Sequence, residues 1–311
     1  MSLDVGIAFF ILGVIATLIR ANIQFPKGLY QSLILFLMLA IGLKGGVALA
    51  QHASWALISQ SAYVLLLGVL LPLIAFPILY FIGGLKRYDA ASIAAHYGSV
   101  SVGTYAVAVA FLEAQDIHYE AYIPLFVVLL EMPAIAVGIA LARNKADDKQ
   151  NTGEVVHEVF CNQGMVLMVG GLLVGFMAGE RIERVTPFFF DLFNGVLALF
   201  LLKMGMMAAQ RIDEIKRLGS FMLAFGVAMP LAGGLAGCLL GLMIGLSSGG
   251  AILLSVLGAS ASYIAVPAAM QVALPQANHS LSISASLGIT FPFNVLIGIP
   301  TFTVLTELIA G

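Results

Sequence analysis

Gly68-Val69-Leu70-Leu71-Pro72-Leu73 is answered 158 residues later by Gly226-Val227-Ala228-Met229-Pro230-Leu231, each set inside a long apolar run. Other pairs keep nearly the same separation. Leu29, Tyr30 and Gly42 match Leu192, Phe193 and Gly205 at 163 residues, Gly98 matches Gly258 at 160, and Gln115 with His118 matches Gln276 with His279 at 161. The order and spacing of a half-chain are therefore duplicated. In a membrane protein this points to a transporter, because secondary transporters are commonly two copies of a helical unit around one central site.

Composition places the chain in a membrane. Apolar residues make up 61% and charged residues 10%, against roughly 25% charged in an ordinary soluble domain. A bilayer core of about 30 Å needs about 20 apolar residues at 1.5 Å each. Ten stretches qualify: 3–20, 28–49, 54–84, 89–112, 119–142, 159–178, 187–209, 218–247, 250–274 and 280–308. The runs 54–84 and 218–247 are too long for one straight span and carry Pro72 with Pro77, and Pro230 with Gly233-Gly234, so a tilt or kink is expected in each. The first stretch lacks a basic leading region and belongs to the repeat, so it reads as a span and not as a cleaved signal peptide.

Loop charges give the orientation. One set of alternate loops holds Arg20, Lys27, Lys86, Arg87, Arg143, Lys145, Lys149, Arg211, Lys216 and Arg217, while the other holds only Arg181 and Arg184 among its basic residues, beside Glu113, Asp116, Glu120, Glu180 and Glu183. The positive-inside rule then puts both termini outside a bacterial inner membrane and the central linker in the cytoplasm. Five spans per half is an odd number, so the second copy enters from the opposite side and the repeats are inverted. The expected fold is an all-α membrane protein of ten spans, with residues 1–142 as one five-helix repeat, 143–158 as the linker and 159–311 as the other.

The linker, Arg143 through Glu154, reads as a solvated connector. Cys161 and Cys238 have no metal-ligand spacing and are expected to be small buried side chains. No phosphate loop, no His-Glu-x-x-His pattern and no Gly-x-Ser-x-Gly elbow occurs. The chain reads as neither an ATPase nor an intramembrane enzyme, and active transport must draw on an ion gradient. No cofactor, no nucleic acid and no metal other than a coupling Na⁺ is expected.

The candidate site lies in two runs of small residues. His96-Tyr97-Gly98-Ser99-Val100-Ser101-Val102-Gly103-Thr104 in the fourth stretch corresponds to Leu257-Gly258-Ala259-Ser260-Ala261-Ser262-Tyr263-Ile264-Ala265 in the ninth. Such runs suit a broken helix whose freed N–H groups and hydroxyls face a cavity at the bilayer midplane. Half-helix N-termini hold small anions without an arginine. Gly98, Ser99, Val100, Ser101, Thr104, Ser260, Ala261, Ser262 and Tyr263 are therefore the candidate substrate residues, tight helix packing being the alternative use of small residues. Glu131, before Pro133, is the deepest ionisable group, and a charge there costs about 2.5–3.5 kcal/mol on an insertion scale. Thr290 and Asn294 flank Pro292 in the equivalent segment. These oxygens suit Na⁺, with a protonated Glu131 bonded to a carbonyl as the alternative. Lys44 and Lys203 are expected to snorkel, with attraction of substrate as the alternative; His96 is expected to be a hydrogen-bonded helix residue, with a proton relay as the alternative, and His118 and His279 to cap helices.

These residues resemble the sodium-dependent bicarbonate transporters first recognised in cyanobacteria. The likeness runs through Ile41-Gly42-Leu43-Lys44-Gly45-Gly46, Gly98 to Ser101, Leu112-Glu113, Tyr119-Glu120-Ala121 and Glu131-Met132-Pro133. It continues in Met204-Gly205-Met206, Ser260 to Tyr263 and Pro275-Gln276-Ala277-Asn278. The resemblance implies inverted five-helix repeats divided into core and gate domains, a homotrimer, bicarbonate where the two breaks meet, and a Na⁺ driving gradient. Cyanobacterial members are also shut down by a PII-like cytoplasmic protein, through a chain whose linker is longer than this one. Three residues depart from the cyanobacterial pattern: Tyr263 stands where those members have aspartate, Ala261 where they have serine, and Glu131 where they have aspartate. The expected function is Na⁺-coupled symport of bicarbonate, with Na⁺- or H⁺-coupled symport of another small anion or carboxylate as the alternative. A passive anion channel would need a continuous polar stripe along one span, and none is present.

Overall fold

A computed structural model describes residues 5–143 and 163–310, together with His157 and Cys161. Most of the 143–158 connector, including Lys145 and Lys149, lies outside the described residues. Helices α1 (Val5–Leu18), α2 (Lys27–His52), α3 (Trp55–Pro77), α4 (Arg87–Gly98), α5 (Val102–Ala114) and α6 (Ile123–Ala142) make up the first part. The second contains α7 (Gln163–Ala178), α8 (Phe193–Gln210), α9 (Ile212–Arg217), α10 (Gly219–Met243), α11 (Ser248–Ala259), α12 (Ala265–Ala273) and α13 (His279–Ile283), then α14 (Phe291–Phe293) and α15 (Ile299–Ala310). There is no strand among the described residues. Seven helical segments are long and apolar enough to cross a membrane, and Val5–Leu18, Gln163–Ala178 and Ser248–Ala259 are shorter apolar helices. Large apolar side chains such as Phe81, Met177 and Leu308 are exposed, as lipid-facing surfaces require.

Local chemistry sets the helix ends. The Ser54 hydroxyl accepts the Leu57 N–H at 3.2 Å and starts α3, and the Ser247 hydroxyl accepts the Gly250 N–H at 3.1 Å at α11. The two proline-bearing runs behave differently. The first gives way after Pro77 to a π turn over Ile78–Ile82, while α10 continues α-helical through Pro230. Proline lacks the N–H that would bond the carbonyl four residues back. That carbonyl, Gly226 O, instead accepts the Thr290 hydroxyl at 2.8 Å.

The helices pack in two sets. In one, α1 lies along α8 and α2 along α7 and α8; in the other, α3, α4 and α6 pack together, as do α10, α11 and α15. Glycines allow the close crossings of the first set. A Cβ on Gly13 would meet the carbonyl of Leu202 and one on Gly171 that of Leu39; a Cβ on Gly42 would meet Met168 O and one on Gly205 that of Phe10. Leu39 and Leu202 are 163 residues apart, like Gly42 and Gly205, and Phe10 and Met168 are 158 apart, like Gly13 and Gly171. The two crossings thus use the same contacts with the half-chains exchanged.

Loops touch in two groups. The Ser247 N–H donates to Glu120 at 2.6 Å, and Gln60 joins Tyr122 (3.1 Å) to Ile244 O (3.0 Å). Asp89 accepts the Asn278 N–H at 2.7 Å, and Arg87 donates to Leu141 O at 2.7 Å. Every one of these pairs joins segments that the charge pattern assigns to one side of the membrane.

Several expectations are corrected. Cys161 is exposed, at the polar approach to α7, whereas Cys238 is buried against Thr306. His118 caps nothing; it contributes its carbonyl to the Ser247 hydroxyl at 3.4 Å. Asn278, one residue before His279, caps α13 through the Leu281 N–H.

The crossings predict their own sensitivity. Gly205→Ala or Gly13→Ala should destabilise the protein by about 1–3 kcal/mol through overpacking. Gly195→Ala, in open space on α8, should be neutral or slightly stabilising through helix propensity. Thermal unfolding of the purified variants checks this; equal melting temperatures for Gly205→Ala and Gly195→Ala would contradict the crossing geometry.

Candidate functional site

Both small-residue runs are breaks in helices. The first helix ends at Gly98; Ser99 (φ −95°, ψ 179°) and Ser101 (φ −110°, ψ 112°) are extended, and α5 starts at Val102. In the second, α11 ends at Ala259, Ser260 is extended (φ −81°, ψ 162°), and α12 starts at Ala265. A break leaves backbone groups without helical partners in an apolar interior, where they must be satisfied. Each break satisfies the other: the Ser101 N–H donates to Ser260 Oγ at 3.1 Å, and the Ser262 N–H donates to the His96 carbonyl at 2.8 Å. Ser260 in turn donates to Leu257 O at 2.8 Å.

Ser101 has a second task. Its Oγ accepts from the Thr104 N–H (3.1 Å) and the Thr104 hydroxyl (2.9 Å). With both lone pairs used, its own proton is left to donate. The Ser262 Oγ accepts the Val266 N–H at 3.4 Å and stands at the start of α12. Met38, Val100, Ser101, Val102, Glu131, Ser262, Tyr263 and Ile264 enclose a cavity of about 10 Å³, room for one water-sized body.

Of the expected substrate residues, Val100, Ser101, Ser262 and Tyr263 line this cavity. Gly98, Ser99, Thr104, Ser260 and Ala261 are buried in the breaks behind it. Glu131, 2% exposed, brings a carboxylate whose Oε2 has no hydrogen-bond partner. Thr290 and Asn294 do not line the cavity. Thr290 is held between Tyr97 (2.7 Å) and Gly226 O, and Asn294 Nδ2 donates to Ala259 O at 2.8 Å, at the carbonyl end of α11. Both side chains repair backbone at a proline or a break; only Asn294 Oδ1 stays unpartnered. His96 Nδ1 bonds Ser92 O at 2.7 Å, as a helix residue does.

Tyr263 packs edge-on against Phe291, ring centroids 5.3 Å apart, with its hydroxyl close to α5. Gly103 makes that approach feasible, because a Cβ there would meet the Tyr263 hydroxyl and come within 2.7 Å of the Phe200 ring. The tyrosine is thus fixed against the first turn of the opposing half-helix.

Lys44 does not snorkel away. Its ammonium donates to Glu113 at 2.9 Å and to the Tyr119 hydroxyl at 3.2 Å, and Tyr119 donates to the same Glu113 oxygen at 2.8 Å. The Tyr119 hydroxyl accepts from Lys44 while donating to Glu113, and so ties the two together. The ion pair is 44% and 40% exposed, and a pair so accessible is worth at most about 1 kcal/mol. Sequence reading missed this cluster because its members come from three segments. Lys203 instead lies over the Phe25 ring, 5.5 Å from its centroid.

The Gly103 contact is testable by a double-mutant cycle. Gly103→Ala should cost about 1–3 kcal/mol, and adding Tyr263→Phe should recover part of it, giving non-additive melting temperatures. Strict additivity would place the tyrosine hydroxyl elsewhere.

A search of curated proteins finds no match to the chain. The profile of the Na⁺-dependent bicarbonate transporter superfamily matches residues 6–307, nearly the whole length. Its members are transporters and not enzymes, and the family's cargo is bicarbonate with Na⁺. An all-helical chain with lipid-facing apolar surfaces and a buried polar cavity is what such a transporter requires. The chain belongs to the Na⁺-dependent bicarbonate transporter superfamily.

Proposed function

We propose that the protein is a secondary active transporter that carries bicarbonate into the cell together with Na⁺. The observation that carries this is the pair of broken helices whose ends bond each other and enclose a cavity with Ser101, Ser262 and Glu131. Two half-helix N-termini, α5 and α12, begin at this cavity. Their N–H groups and partial positive charge suit a small anion, and the Ser101 hydroxyl, beside Tyr263, adds a polar group to the lining. Glu131 is the coupling group: a buried carboxylate is costly unless a cation compensates it, and Asn294 Oδ1 is a second buried oxygen for Na⁺.

The reading includes ten spans in two inverted five-helix repeats, 1–142 and 159–311, joined by the 143–158 linker. Two findings support it: the exchanged glycine contacts of Gly13 with Gly171 and Gly42 with Gly205, and the loop contacts, which never join segments assigned to opposite sides. The charge pattern supports placing both termini outside. A second reading, symport of another small carboxylate, draws on Tyr263. A neutral hydroxyl there repels anions less than the aspartate of the cyanobacterial pattern and offers either a donor or an acceptor.

Uptake of labelled bicarbonate into proteoliposomes, with and without an inward Na⁺ gradient, tests the proposal. Equal uptake in both conditions removes the coupling, and faster uptake of formate or acetate than bicarbonate selects the second reading.

Two variants resolve the site. Ser101→Leu or Ser262→Leu fills the cavity and should abolish uptake while the protein stays folded at its normal oligomeric size; wild-type rates in both would remove the central site. Glu131→Gln should raise the Na⁺ half-saturation about tenfold, the loss of one charge-assisted contact, with little change in melting temperature. An unchanged Na⁺ dependence would mean that Glu131 is a protonated structural residue.

A further inference from the structure

The Lys44 cluster borders a second cavity, of about 100 Å³, lined by Ala40, Ile41, Tyr105, Val109, Asn194 and the Lys44–Glu113–Tyr119 triad among others. It is larger than the cavity at the breaks and, unlike it, contains a cation. From Ser101, the N-cap of α5, the residues Tyr105, Val109 and Glu113 follow at four-residue steps along one side of the helix. On α2, Met38, Ile41 and Lys44 do the same at three-residue steps. Met38 and Ser101 line the inner cavity, whereas Ile41, Lys44, Tyr105 and Glu113 line the outer one. One stripe on each helix therefore connects the two cavities, over roughly 18 Å from Ser101 to Glu113 at 1.5 Å per residue. Tyr105, 2% exposed, is one helical turn beyond Ser101 and lines the outer cavity.

The triad presents a carboxylate to an ammonium. Glu113 Oε1 occupies Lys44, and the Tyr119 hydroxyl supports both. A carboxylate and a bicarbonate ion offer the same planar pair of oxygens, so Glu113 sits where a small anion would sit. The Lys44 ammonium has three donors and uses two. The pair is accessible to water and therefore weak enough to exchange.

We propose that this outer cavity is a first binding station for a small oxyanion, in which the incoming anion displaces Glu113 from Lys44 before passing along the α2–α5 stripe to the helix breaks. The proposal rests on the anion-transport reading. Glu113 is then an internal competitor of the substrate, and the two members of the ion pair have opposite roles.

That opposition gives the test. In proteoliposomes at saturating Na⁺, Lys44→Gln should raise the KM for bicarbonate about tenfold, and Glu113→Gln should lower it about threefold. Neither should move the Na⁺ half-saturation, and Lys44→Arg should keep most of the affinity. A pair that only braces the fold predicts the same direction for both glutamine variants, and that result, or no shift in either, overturns the proposal. If Lys44→Gln fails to fold, Glu113→Gln decides alone: a lowered KM sustains the station, and a raised or unchanged one overturns it. If the wild type takes up no bicarbonate, the transport reading has failed and the station is judged by thermal unfolding with bicarbonate or formate. Stabilisation strongest in Glu113→Gln and weakest in Lys44→Gln supports it; equal stabilisation in all three proteins overturns it.

Discussion

Backbone hydrogen bonding across the paired breaks decides where the two half-chains meet. An unwound segment inside an apolar helical bundle exposes N–H and C=O groups that no lipid can satisfy. Here the Ser101 N–H finds Ser260 and the Ser262 N–H finds the His96 carbonyl, so neither break is satisfied without the other. The two half-chains must therefore meet at this point. Glycine crossings between α1 and α8 and between α2 and α7 let the surrounding helices come close, and Gly98 against Pro72 and Gly258 against Gly233 seat each break on the proline-bearing helix of its own half.

The same accounting explains side chains that look like ligands. Pro230 frees the Gly226 carbonyl, and Thr290 fills it; the break at Ser260 frees the Ala259 carbonyl, and Asn294 fills it. Oxygen- and nitrogen-bearing residues near a proline in a membrane helix thus have a structural use that competes with ion binding. Glu131 differs from both, because its Oε2 has no such use and it faces the cavity.

Much of this was legible in the sequence because it is local. Runs such as Gly98-Ser99-Val100-Ser101 announce a break through helix propensity alone, and apolar length announces the spans. Pairings between distant segments were not legible. Lys44 meets Glu113 across 69 residues, and nothing in the local pattern distinguishes a lysine that snorkels, as expected for both, from one that folds inward onto a carboxylate. Caps failed for a similar reason: His118 and His279 occupy the right places, but the neighbouring Asn278 has the shorter side chain whose oxygen reaches the Leu281 N–H. Cys161 was misread because the start of the sixth apolar stretch is polar, with Asn162 and Gln163 beside it.

A transporter must release what it binds, and the chemistry of the inner cavity suits that need. A buried arginine or lysine would hold an anion firmly and would itself be costly to leave unpaired when the site is empty. Helix N-termini and hydroxyl protons carry only partial charge, so on the proposed reading the anion is held without a buried cation, and Na⁺ offsets the Glu131 carboxylate. The full positive charge stands at Lys44, where water reaches it and Glu113 pairs with it. On the proposed reading, attraction and release fall to different places along α5: the screened ion pair at its end would gather anions, and the uncharged first turn beside Ser101 would hand them across.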